Sequence, residues 1–274
     1  MKRIFIGIAA VASLLATNAF GADLAARMYT KAPVVPPVVY DWTGFYIGGN
    51  VGYSWGRSGN TETLSNLATG TALFTSTSRN DVNGVIGGGQ VGYNWQASNW
   101  LFGLEADIQG SGEKGSSTIV CVACGDGPSN ITSNLTQKLD WFGTVRGRAG
   151  ILVTPTVLLY ATGGLAYGEV DTGGSITGPT SQVPLATVAF PGTSSTRAGW
   201  TAGAGVEGRI SGNWTAKLEY LYMDLGTVSA GPISTTILGP VRNPLAVSYS
   251  SHFTDNILRV GLNYHFSGPI VARY

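Results

Sequence analysis

The stretch that most limits what this chain can become is residues 42–55, Trp-Thr-Gly-Phe-Tyr-Ile-Gly-Gly-Asn-Val-Gly-Tyr-Ser-Trp. Taken at every second position it separates into two faces. Phe45, Ile47, Gly49, Val51, Tyr53 and Trp55 form one, and Gly44, Tyr46, Gly48, Asn50, Gly52 and Ser54 the other. Alternation over this length is the period of a β-strand whose two sides meet different surroundings. Aromatics near both ends of the apolar face, with glycines thinning the opposite one, describe a strand with lipid outside and a tightly filled lumen inside.

The pattern recurs. Gly88-Gly-Gln-Val-Gly-Tyr-Asn-Trp95 repeats Gly48-Gly-Asn-Val-Gly-Tyr-Ser-Trp55 almost residue for residue, inside a second strand at 85–95. Further strands are expected at 100–111, 139–153, 157–170, 198–210, 214–225 and 254–266. Tight turns at 97–99, 154–156 and 211–213 alternate with long polar segments at 56–82, 112–137, 171–196 and 226–252. This arrangement predicts an all-β fold, an eight-stranded antiparallel transmembrane up-and-down β-barrel with short periplasmic turns and four long extracellular loops. A water-soluble barrel can have the same strand count, but it turns its apolar residues inward. Facing therefore decides. In the last strand Leu258, Val260, Leu262, Tyr264 and Phe266 share one face, opposite Ile257, Arg259, Gly261, Asn263 and His265. The fourth sets Leu139, Trp141, Val145, Ala149, Ile151 and Val153 against Asp140, Thr144, Arg146 and Arg148; the fifth is ambiguous, since Leu158 and Leu159 occupy both faces.

Charged residues collect on the inner faces. Arg146, Arg148, Arg209, Lys217 and Arg259 supply positive charge, and Glu105, Asp107, Glu207 and Glu219 negative charge. Eight strands leave an interior just wide enough for side chains, and a buried charge needs a partner. The expectation is a salt-bridged plug, with a narrow charge-lined pore for small hydrophilic solutes as the alternative. Trp42, Trp55, Trp95, Trp100, Trp214, Tyr264 and Phe266 fall at strand ends, where interfacial girdles form.

Composition fits this reading. Only 11% of the 274 residues are charged and 40 are glycine. The net charge of +1 gives no electrostatic case for nucleic acid. Mean hydropathy is +0.15, too low for a helical membrane protein. Residues 1–21 read as a secretory signal peptide: Lys2 and Arg3, an apolar core, and the small-x-small site Ala19-Phe20-Gly21. Residues 22–41 form a Pro-rich periplasmic linker with Pro33, Pro36 and Pro37, residues 42–266 the barrel, and residues 267–274 a short tail.

Three stretches, Trp42-Thr-Gly-Phe-Tyr-Ile-Gly-Gly-Asn-Val-Gly-Tyr, Gly163-Gly-Leu-Ala-Tyr-Gly168 and Val260-Gly-Leu-Asn-Tyr-His-Phe266, resemble the small OmpA-like porin family of outer membrane immunogenic proteins, surface antigens of Gram-negative bacteria. The resemblance takes in nearly the whole chain except the loops. It implies a cell outer membrane location, a structural role, and contact with host or environment through the loops. The partners it implies are outer-membrane lipid and lipopolysaccharide, the barrel assembly machinery, and a host or environmental ligand at the loops. One departure is that 267–274 follow Phe266, where such barrels usually end on an aromatic residue.

Several motifs suggest other chemistry. Gly87-Gly-Gly-Gln-Val-Gly92 and Gly203-Ala-Gly-Val-Glu-Gly208 fit G-x-G-x-x-G, but both lie inside strands rather than opening a helix. Cys121-Val-Ala-Cys124 lies in a loop of an exported chain, so a small disulfide is favoured over free thiols. His252 with Ser250, Ser251 and Asp255 is the one cluster resembling a nucleophile and base. No catalytic, cofactor-binding or metal-ligating set emerges, and the chain is not expected to be an enzyme.

Overall fold

The computed structural model describes residues 40–124, 129–238 and 243–266. The expected signal peptide, most of the linker and the tail lie outside these residues. Eight antiparallel strands follow in chain order: β1 Gly44–Asn66, β2 Ala72–Ala97, β3 Trp100–Cys121, β4 Ile131–Thr154, β5 Val157–Gly178, β6 Ala186–Ser211, β7 Trp214–Leu238 and β8 Pro244–His265. Each pairs with its sequence neighbours, and β1 pairs with β8 to close the barrel.

The outer surface carries an apolar belt. On β1 it runs from Phe45 to Trp55, with Phe45 61% and Val51 60% exposed. Elsewhere it includes Val85, Leu104, Val145, Leu165, Trp200, Leu218 and Val260. Side chains this greasy and this exposed need a lipid solvent, and eleven positions match the roughly 9–11 residues of a tilted spanning strand. Aromatic contacts edge the belt: Phe45–Tyr93, Tyr93–Trp95 and Trp214–Tyr264 near the short turns, Trp141–Tyr167 and Trp200–Tyr222 at the other side.

The strands do not stop where the belt does. β1 is 23 residues long, about twice what the membrane needs. The segments expected as long loops are mostly continuous β-ladder, and the described connections at the tips shrink to residues 67–71 and 179–185. The cause is a change in what alternates. Beyond Trp55 the outward positions are Arg57, Gly59, Thr61 and Thr63, while Ser58, Asn60, Glu62 and Leu64 point inward and are buried. Polarity marks these stretches as leaving lipid, and their Thr-rich alternation keeps them extended.

One face assignment is reversed. A register shift between Leu139 and Trp141 places an extra residue in β4, as a β-bulge does. Leu139 consequently turns inward and is fully buried, and Asp140 is exposed. The ambiguity in β5 resolves with Leu158 inside and Leu159, 45% exposed, outside.

Candidate functional site: the layered lumen

The lumen is filled in layers. At the short-turn end, Trp42, Leu101, Leu158 and Tyr160 form an apolar floor. Trp42 enters the mouth from the segment before β1, donating from its indole Nε1 to the Pro155 carbonyl at 3.1 Å. Arg209 sits outside this floor. Its guanidinium lies 4.9 Å from the ring centroids of both Tyr40 and Trp42 and donates to the Asp41 carbonyl at 2.9 Å. The expectation that Arg209 joins the lumen charges is therefore corrected: near the end of β6, it reaches the incoming chain and not an interior carboxylate.

The other eight expected charges meet above the floor, four positive against four negative, all buried. The ladder itself brings some together, since Glu105 is the cross-strand partner of Arg146, and Glu219 of Arg259. Arg146 pairs with Glu105, with Asp107 at 2.9 Å and with Glu219 at 3.1 Å. Arg259 binds Asp107 at 2.8 Å and Glu219 at 2.6 Å. Lys217 reaches across to Glu105 at 3.0 Å, and Arg148 binds Glu207 at 2.7 Å. Two phenols stitch this network. Tyr46 donates to Glu105 at 2.7 Å and accepts from Arg148 at 2.9 Å, and Tyr160 donates to Glu219 at 2.9 Å. His265 stacks on Tyr46 and lies 3.3 Å from Glu207, which also accepts from Thr215 and Asn263. The inward turn of Tyr160 is not legible from the sequence, where the faces of β5 are ambiguous. Tyr46 is legible there, on the face of β1 opposite the apolar belt.

A second apolar layer lies above the ions: Val82, Ile86, Leu139, Phe142, Ala166, Val170, Leu221, Met223, Leu225, Phe253 and Ile257. Glu113 and Asp255 are embedded at this level, at the upper edge of the lipid belt. Ser111 donates to Glu113 at 3.1 Å, and Ser54 donates to Asp255. No cation pairs with either among the described residues. A polar layer follows, in which Ser58, Gln137 and Ser251 are hydrogen-bonded and Glu62, raised by burial, lies beside Ser133. The outer end is closed by Leu64, Cys121, Ile131, Ile176, Ile237, Leu245 and Val247. Cys121 is bonded to Cys124, their Cα atoms 5.6 Å apart.

The cluster around His252 is split by the wall. Ser251 and Asp255 are buried inside, while His252 faces out, its Nε2 3.5 Å from Asp224 and its Nδ1 3.2 Å from the Thr227 hydroxyl. Both G-x-G-x-x-G stretches lie within β2 and β6. No group of three or more metal-ligating side chains occurs among the described residues.

This barrel can be compared with known proteins. The family model for the outer membrane protein β-barrel domain matches residues 8–266. The chain belongs to that family. The 31 kDa outer-membrane immunogenic protein of Brucella melitensis is 34% identical over 272 residues, covering 97% of this chain and 100% of the relative. The 22 kDa outer membrane protein of Rhizobium leguminosarum is 33% identical over 194 residues, covering 71% of this chain and 68% of the relative. Among solved structures, the outer membrane protein OprG from Pseudomonas aeruginosa is similar at 12% identity, over 81% of this chain and 97% of its own, with a TM-score of 0.42. The present chain is thus an outer-membrane β-barrel, a surface protein similar to immunogenic proteins of the same membrane.

Proposed function

We propose that this protein is a structural surface barrel with a closed lumen, one that supports the integrity of the envelope and meets host or environment through its extracellular end. The observation that carries this reading is the succession of lumen layers: apolar floor, neutralised ion network, second apolar layer, polar layer and apolar lid. A hydrated solute would have to displace each in turn. The partners that fit are the surrounding outer-membrane lipid and lipopolysaccharide, the barrel assembly machinery during insertion, and a host or environmental ligand at the tips, where Leu67, Val122, Val183 and Leu185 are exposed. We propose no enzymatic role, because His252 and Asp224 face outward while Ser251 and Asp255 are buried inside the wall.

A complementation experiment tests both halves of the proposal. A strain lacking the protein should become more sensitive to detergent and bile salts. A variant with residues 67–71 and 179–185 each replaced by a two-residue turn should restore resistance but not attachment to host cells or matrix. Restoration of both by the trimmed barrel would remove the tips from the account, and no sensitivity in the deletion strain would remove the structural role.

A further inference from the structure

Outside the membrane the ring of strands divides. The β2–β3 ladder rises from Ala97 and Trp100 to Asn83 and Lys114 and stops, although β2 reaches back to Ala72 and β3 on to Cys121. The β6–β7 ladder likewise stops at Trp200 and Asp224, although β6 begins at Ala186 and β7 ends at Leu238. The intervening ladders continue to the tips, β1–β2 to Ala72, β3–β4 to Cys121 and β5–β6 to Gly178. Two sheets therefore stand above the belt, β7-β8-β1-β2 and β3-β4-β5-β6, with the apolar lid as the core between them. Each of the two seams leaves a pair of strand edges without a ladder among the described residues.

The seams differ. Bare edges are ordinarily blunted by proline or by a break in register. The β6–β7 seam has both. Pro191 and Pro232 lie in its unpaired stretches, and register shifts fall between Thr172 and Gly174 beside β6 and between Ala230 and Ile233 in β7. Residues 75–82 of β2 and 115–121 of β3 contain neither. In an antiparallel strand the N–H and C=O of one residue point to one neighbour, and those of the next residue to the other. The Asp81 carbonyl faces β3, since a Cβ on Gly115 would lie 2.7 Å from it. Thr75, Thr77 and Arg79 share the parity of Asp81, so their backbone groups point into the seam. Its inner lining is also unsatisfied. Asn80 is 3% exposed, yet neither its amide oxygen nor its nitrogen has a hydrogen-bond partner among the described residues. The buried hydroxyls of Ser78 and Ser117 have none there either.

The chemistry of this edge names its partner. A regular row of amides and carbonyls at strand spacing is matched by another extended backbone. Asn80, Ser78 and Ser117 both donate and accept, so the side chains turned inward beside them are small and polar. The segment before β1 cannot supply the strand, because it enters at the short-turn end of the barrel. A second copy is disfavoured as well. Two copies in one membrane share an orientation, so a two-fold pairing of their β2 edges is parallel. It sets Arg79 against Arg79 and Asp81 against Asp81, and like charges placed opposite each other destabilise a sheet. We infer that the free edge of β2, residues 75–81, is a docking site for an extended, proline-free peptide segment of another protein, added as a strand through its backbone. The site lies on the side wall, apart from the tips, and does not depend on them.

The test uses the refolded protein in lipid nanodiscs and the fluorescence anisotropy of two labelled probes. One is a nonapeptide of alternating threonine and serine. The other is the same peptide N-methylated at two adjacent central residues, which removes a donor from each of its edges. Thr77→Pro removes one N–H from the free edge and leaves the β1 ladder in place, whereas Thr77→Val changes only the side chain. Heat-modifiable gel mobility establishes that each variant is folded, and the methylated probe decides the matter on the wild type should Thr77→Pro fail to fold. The wild type should bind the plain peptide saturably and the methylated one about fivefold more weakly, the equivalent of one net hydrogen bond. Thr77→Pro should weaken the plain peptide by a similar factor, and Thr77→Val by less than about twofold. The barrel trimmed at residues 67–71 and 179–185 should bind as the wild type does. No saturable binding, equal affinity for the two probes, or equal losses from Thr77→Pro and Thr77→Val would overturn the inference. So would loss of binding in the trimmed barrel, or a wild-type dimer that Thr77→Pro dissolves, which would give the edge to a second copy.

Discussion

Arg146 separates three carboxylates that the barrel would otherwise force together, since Glu105, Asp107 and Glu219 all contact its guanidinium. Removing one partner of such a buried set leaves charge without compensation. Arg146→Ala should therefore lower unfolding stability by about 3–5 kcal/mol, read by urea titration in detergent. Arg209→Ala, outside the network and only partly buried, should change it by less than about 1 kcal/mol. Equal effects would place Arg209 back among the lumen charges. A second residue-scale expectation concerns pH. Glu62 lies well beyond the lipid belt, and burial raises it. A carboxyl raised in the folded state binds more protons there than in the unfolded chain. Its stabilising contribution is complete at low pH and is lost as pH climbs from the ordinary carboxylate range through the raised folded value. Stability should fall as pH climbs above the ordinary carboxylate range, and Glu62→Gln should flatten the fall. A rise over that interval, or an unchanged slope in the variant, would contradict this.

Among the elements, β4 separates what alternation reveals from what it hides. From Trp141 to Ile151 the period of two holds, and Arg146 and Arg148 lie on the inner face that this spacing defines. At Leu139 one inserted residue turns the pattern over, and no side chain in the sequence announces the bulge. The consequence is measurable: Leu139→Ala should cost about 2–5 kcal/mol, as buried leucines do, while Asp140→Ala should stay within about 0.5 kcal/mol. The reverse order would restore strict alternation. The extracellular halves of the strands were hidden for another reason. Once lipid is left behind, the outward contrast between Val or Leu and Gly becomes a weaker one between Thr and Ser or Asn, and polarity alone reads as loop. The apolar lumen layers are hidden likewise, because an apolar residue on an inner face, such as Ile257, does not show from spacing alone which neighbours it meets across the ring. Local spacing carried the strand count and the ionic layer, whereas the way layers stack needed the closed ring.

At the scale of the whole molecule, the ion network is one seal among several. Its loss alone should not open the barrel, because Phe142, Met223 and Phe253 fill the level above it and Trp42 and Leu158 the level below. Arg146→Ala/Arg148→Ala should be less stable yet still closed. The measurement that tests this most directly is single-channel conductance of the refolded protein in a planar bilayer, beside that double variant. The layered lumen leads to no discrete steps from either. Stable, unitary steps from the wild type would contradict it and make the protein a pore for small hydrophilic solutes.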